Sequence, residues 1–171
     1  MLPVVVLPLW SVAVLNAVAW GGWSAAAGYL AHRRPTSAFA KDRALYRLRG
    51  FERGDLYERR LRIKRWKDRL PEAGALFTGG FSKRSVRTKD RATLERFVIE
   101  TRRAEWAHWL IIGATPFFLI WNPWWVEPFM VLYALVANLP CLLVQRYNRG
   151  RLERLLEPAS PGAPPADRGS R

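Results

Sequence analysis

The sequence predicts an all-α integral membrane protein with three transmembrane helices and a basic amphipathic cytoplasmic loop. Three observations carry that reading. Residues Met1–Ala31 hold no Lys, Arg, Asp or Glu, and Trp109–Gln145 hold only Glu127. Of the 28 Lys and Arg, 22 fall between Arg33 and Arg103 and 6 between Arg146 and Arg171, so apolar blocks alternate with basic ones. The apolar block of the second half is interrupted by "WNPWWVEP", where two prolines, an asparagine and three tryptophans describe a tight turn at a headgroup layer. A soluble domain would spread its apolar residues differently. The net charge of +14 borders apolar spans, which suits anionic lipid and argues against nucleic acid.

Residues 1–31 form the first unit. They are too long and too uniformly apolar for a signal peptide, and lack its positive amino-terminal region. A span needs about 20 residues, so one helix crosses here, tilted or beginning after Pro8. Residues 32–103 are a basic loop. Within it, "DLYERRLRIKRWKDRLP" spaces Leu56, Ile63, Trp66 and Leu70 as one helix face, ended by Pro71. Such a helix is expected to lie in the headgroup layer, with packing on its neighbours as the alternative. "EAGALFTGGFSK" then reads as a loop. Thr88 or Asp90 caps a helix that runs without a breaker into the second span.

Residues 104–145 form a transmembrane hairpin, with spans at about Ala104–Trp121 and Val126–Gln145. The two basic flanks of a hairpin share one face, and the positive-inside rule makes that face cytoplasmic. Residues 146–171 are a basic, Pro/Gly-rich cytoplasmic tail, expected to be disordered beyond Leu156. This is a multi-pass topology in the plasma membrane, with the amino terminus outside.

Two constellations can carry chemistry. If one helix runs from Arg91 to Trp121, then Leu94, Val98, Thr101, Glu105, His108 and Ile112 share a face. Glu105 and His108 lie one turn apart on it, in "ETRRAEWAHW", next to Arg103 and Trp109. Ionisable groups near a bilayer should face protein or a wet cavity rather than lipid. A carboxylate beside an imidazole orients the ring and stabilises its charged form, as a general base acting on a hydroxyl requires. The second constellation is "NLPCLLVQRYNRGRL". It places Asn138 and Pro140 inside the third span and Gln145, Arg146, Tyr147, Asn148 and Arg149 at its exit, where forked donors suit anionic oxygens. Cys141 lies among apolar residues, where a thiol is a poor nucleophile. No ligand-spacing motif supports a metal.

"IKRWKDRLPEAGALFTGGFSKR", "ETRRAEWAHW" and "NLPCLLVQRYNRGRL", in that order, resemble the small membrane acyltransferases of carotenoid biosynthesis, the glycosyl-4,4'-diaponeurosporenoate acyltransferase family. The resemblance covers roughly Ile63 to Leu152. It implies transfer of a long-chain fatty acyl group to a sugar hydroxyl of a glycosylated carotenoid or related glycolipid. No bound cofactor is implied; acyl-CoA or acyl carrier protein would be the donor. Membrane lipid, the glycolipid acceptor, the donor and other pathway enzymes are the expected partners. The residue roles are chemical inference. His108 and Glu105 are the catalytic candidates; Arg103, Trp109, Asn138, Gln145, Arg146, Tyr147, Asn148 and Arg149 are the substrate-binding ones, with Asn138 or an arginine facing the oxyanion. The competing reading is a non-catalytic scaffold that holds anionic lipid and partner proteins with its basic surface.

Overall fold

The computed structural model describes residues 5–52, 56–70 and 90–157, and among these there is helix and turn but no strand. Helix α1 covers Leu9–Arg33 and starts directly after Pro8, whose fixed φ sets the first turn. A short helix α2, Ser37–Ala40, follows. Helix α3 covers Arg91–Ile112 and helix α4 covers Glu127–Leu156. α3 and α4 form an antiparallel pair on which α1 packs. The expected loop at residues 72–83, the Thr88 cap and the tail beyond Glu157 lie outside the described residues.

The start of α3 follows from its sequence: the Asp90 side chain accepts from the backbone N–H of Thr93, one of the donors a helix start leaves unpaired. Its end corrects the expectation of one helix to Trp121. α3 stops at Ile112, and Thr115–Ile120 form a 3₁₀ helix. Pro116 is the reason, because it has no N–H to give the Ile112 carbonyl four residues back. The apolar stretch Ala104–Trp121 is therefore two pieces joined at Gly113.

A second correction concerns the basic segment. Leu56–Arg60 is one π-helical turn and Ile63–Arg65 and Lys67–Arg69 are 3₁₀ turns, so no continuous amphipathic helix forms. Arg62, at φ 46°, is left-handed and breaks the chain between them. The apolar residues still share a side. Tyr57 and Ile63 bury against Val144 and Tyr147 of α4, with Leu61, Trp66 and Leu70 around them. Packing on a neighbour, the alternative of the two placements, is the one the structure has.

The turn at residues 121–123 is as tight as its composition suggests. Asn122 is buried, and its side chain exchanges hydrogen bonds with Asn16 of α1 at 2.9 and 3.2 Å. Trp121 Nε1 also donates to Asn16 Oδ1 at 2.8 Å, and Trp20 stacks on Phe118 with centroids 4.6 Å apart. A polar knot thus pins α1 to the hairpin tip. At the other end, Arg103 Nη1 donates to the carbonyls of Ala31 (2.5 Å) and Arg34 (2.7 Å), closing the carboxy terminus of α1.

α4 does not end where the third span was expected to. It continues without interruption from the apolar part into the basic exit, so the boundary at 145/146 is not a structural break. Among the described residues, the stretch Trp124–Leu156 is the one helix long and apolar enough to cross a membrane, at 33 residues. Large apolar side chains on the outer faces of α1 and α4 remain exposed, including Val14, Val18, Leu132 and Val136.

Candidate active site

The inward faces of α3 and α4 bring the two expected constellations together, but with different partners from those expected. His108 Nδ1 lies 2.8 Å from Asn138 Oδ1 of α4. Asn138 Nδ2 in turn donates to the carbonyl of Ala134 at 2.9 Å. A carbonyl only accepts, so the amide orientation is set, and its oxygen must face a donor. His108 therefore carries its proton on Nδ1 and leaves the Nε2 lone pair available, which is the tautomer a general base needs. Asn138 is buried and His108 half-buried.

Glu105 does not orient His108. Its carboxylate is wholly buried and is held by Arg146 Nη1 at 2.6 Å and Arg149 Nη1 at 2.7 Å. One turn of α3 brings the two side chains onto one face, yet the arginines of α4 reach Glu105 first, and a charge-assisted pair outweighs a contact with a neutral ring. Trp109 Nε1 approaches the same carboxylate at 3.4 Å.

Arg146 joins this cluster to the basic segment. Its Nε and Nη2 make a fork on Glu52, at 2.5 and 2.6 Å. The remaining N–H groups meet Glu105 and the carbonyls of Leu45 (3.2 Å) and Arg47 (2.9 Å). Five donors are thereby engaged, and none is left for a substrate phosphate. Arg149 is also fully buried, with Nη2 on the Tyr46 carbonyl at 2.5 Å. Arg103 is occupied by α1. Each of these three arginines is held by protein groups, as guanidinium groups inside a fold need partners.

Tyr57 completes the cluster by donating to Glu52 Oε1 at 2.7 Å. Burial pushes the Glu52 carboxyl up, but the hydrogen bonds from Arg146, the Arg49 N–H and Tyr57 outweigh it and hold the group at about 2. Burial and the bond to Glu52 push the Tyr57 hydroxyl well above its ordinary range. Two glutamates and two arginines balance in charge, which lets the group be buried at the junction of loop, α3 and α4. Tyr147 is buried as well, its hydroxyl on Glu58 at 2.9 Å. Gln145 and Asn148 are half-buried, and their side chains make no hydrogen bond among the described residues.

Two residues of this cluster, Glu52 and Tyr57, were not singled out by sequence, nor was Asn16 of the knot at the hairpin tip. Asn16 carried the clearest signal, as a lone amide in a charge-free apolar run. An open cleft of about 650 Å³ runs beside the site between α1 and α4, with Asn138 in its wall.

Fold and site together define a helical protein with one bilayer-length helix and a polar centre held between two helices near the basic segment. Comparison with known proteins makes the assignment more specific. The chain belongs to the glycosyl-4,4'-diaponeurosporenoate acyltransferase family, whose model matches residues 42–158. A protein of that name from Staphylococcus haemolyticus (strain JCSC1435) is 32% identical over 151 residues, covering 86% of this chain and 88% of its own. One from Staphylococcus aureus (strain bovine RF122 / ET3-1) is 32% identical over 130 residues, 74% of this chain and 77% of its own. No solved structure matches. The chain is an acyltransferase, and the non-catalytic scaffold reading is set aside.

Proposed function

We propose that the enzyme transfers a long-chain fatty acyl group from acyl-CoA or acyl carrier protein to a sugar hydroxyl of a glycosylated carotenoid or a related membrane glycolipid. The observation that carries the mechanism is the His108–Asn138 pair. Asn138 holds the ring by Nδ1, and Nε2 removes the proton of the sugar hydroxyl as its oxygen attacks the thioester carbonyl. The tetrahedral intermediate then expels the thiolate; the ester C–O bond has formed, the C–S bond breaks, and the imidazolium returns its proton to sulfur. Asn138 is a positioning residue in this scheme. Gln145, seven residues further along the same face of α4, supplies the oxyanion donor from its side-chain amide. Asn148 and Trp109 contact the sugar. The Glu52–Arg146–Glu105–Arg149 cluster keeps α3, α4 and the basic segment in register.

The membrane arrangement we infer has three crossings, at α1, at α3 with the 3₁₀ helix that follows, and at α4. The apolar side chains exposed along α1 and α4 support it, since a soluble monomer rarely leaves so large a patch uncovered. The basic segments face the cytoplasm, where they attract the negatively charged donor. Cysteines introduced at Arg60 and at Trp124 are expected to react with a membrane-impermeant thiol reagent from opposite sides. Reaction of both from one side would overturn the topology.

The activity is tested by extracting lipids and pigments from cells with and without the protein and measuring masses. The expected result is an added mass equal to one fatty acyl group on a glycosylated carotenoid or glycolipid. An unchanged profile, with the protein present in the membrane, would overturn the acceptor class.

A further inference from the structure

We propose that the cleft between α1 and α4 is the seat of the carbonyl-proximal part of the acyl donor's hydrocarbon chain. This rests on the acyltransferase mechanism above and names the part of the substrate its site would hold beyond the reacting carbonyl. The cleft is walled by Ala17, Trp20 and Gly21 of α1 and by Phe129, Tyr133 and Asn138 of α4. One end is therefore Asn138, with His108 directly behind it at 2.8 Å. The other end is Asn16, tied into the knot with Trp121 and Asn122. Trp23 Nε1 donates to the Leu110 carbonyl, which sets this turn of α1 level with the His108 turn of α3.

The dimensions decide between the two apolar groups the reaction brings. From Ser24 to Asn16, the α1 residues along the cleft, the distance is about 12 Å at the helical rise. An extended chain advances roughly 1.2 Å per bond, so about ten carbons fit before the knot. A saturated acyl chain can be threaded there and bend out through the open side into lipid. A conjugated polyene is a stiff rod and cannot turn at the knot, so the acceptor's tail stays outside. Gly21 leaves the floor open: a Cβ built on it meets nothing within 4 Å. Larger side chains can therefore be introduced on α1 without disturbing the fold.

The test uses the full-length protein in lipid nanodiscs, with saturated acyl-CoA of graded chain length and a glycosylated carotenoid acceptor. Gly21→Leu should lower kcat/KM at least tenfold for the longest chains and shift the preferred donor to shorter ones. Ala17→Leu lies one turn, about 6 Å, nearer the knot, so its preferred chain should be about five carbons longer than that of Gly21→Leu. A loss independent of chain length, or one seen in the KM of the acceptor, would overturn the assignment, as would no change in either variant. Binding is read separately with an acyl-CoA of about ten carbons, short enough to end inside the cleft, carrying a diazirine at the chain end. In wild type and in His108→Ala alike, the crosslink should fall on the cleft-lining stretches of α1 and α4. Crosslinking there without acyl transfer by wild type to any acceptor would sink the mechanism and leave the cleft standing. Transfer with crosslinks elsewhere would do the reverse.

Discussion

His108→Ala should reduce acyl transfer by about 10² to 10⁴ while the protein still inserts and accumulates, since that is the range general-base removal covers. The ring is half-buried, and among the described residues its one hydrogen bond is to Asn138, so truncation breaks no ion pair there and leaves no buried charge. Asn138→Ala should lose less, because the base remains and only its tautomer and orientation are released. Arg33→Gln, exposed at the end of α1, is the control and should change turnover little. Initial rates per mole of purified protein check all three. If His108→Ala keeps more than about a tenth of wild-type turnover, too much for a lost base, His108 is not the base, and its pair with Asn138 serves binding or anchoring instead.

Glu105→Ala should act on the fold before it acts on the chemistry. The carboxylate is wholly buried and answers two guanidinium groups, at 2.6 and 2.7 Å. Removing one partner of a buried pair typically costs about 3 to 5 kcal/mol, because the other charge stays buried without compensation. Glu105→Gln keeps the shape but not the charge and should fall between Ala and wild type. Thermal unfolding of the purified variants and their yield in membranes should both drop, whereas turnover per folded molecule should stay within a few-fold of wild type. A Glu105→Gln protein that is as stable as wild type but as inactive as His108→Ala would return Glu105 to the role of orienting the histidine.

These two outcomes differ because of what a sequence can and cannot carry. Apolar blocks, the hairpin turn and the inward stripe of α3 were all legible, since composition and periodicity depend on each segment alone. His108, Asn138, Glu105 and Arg146 were all identified as important. Their pairing was not legible, because the antiparallel register of α3 against α4 decides which side chains meet. Glu105 and His108 are neighbours along one helix, yet each is bound by a residue from the other. The basic segment shows the opposite failure. Leu56, Ile63, Trp66 and Leu70 have helical spacing, and three of these positions do pack with or around the Ile63 cluster, but the backbone reaches that arrangement through tight turns and a left-handed Arg62. Glu52 was hidden as one acid in a basic run; only the fold brings it to Arg146, 94 residues later.

The separation of Glu105 from its partners has a consequence for how the chain is made. Arg146 follows Glu105 by 41 residues and Arg149 by 44. At about 5 to 20 residues per second, the ribosome delivers the first arginine roughly 2 to 8 seconds after the carboxylate. During that interval α3 carries a charge with no counterpart, a poor passenger for lipid on its own. In the three-crossing arrangement proposed above, α3 and α4 are therefore expected to enter the bilayer as one unit, with the charge cluster setting the order of biogenesis.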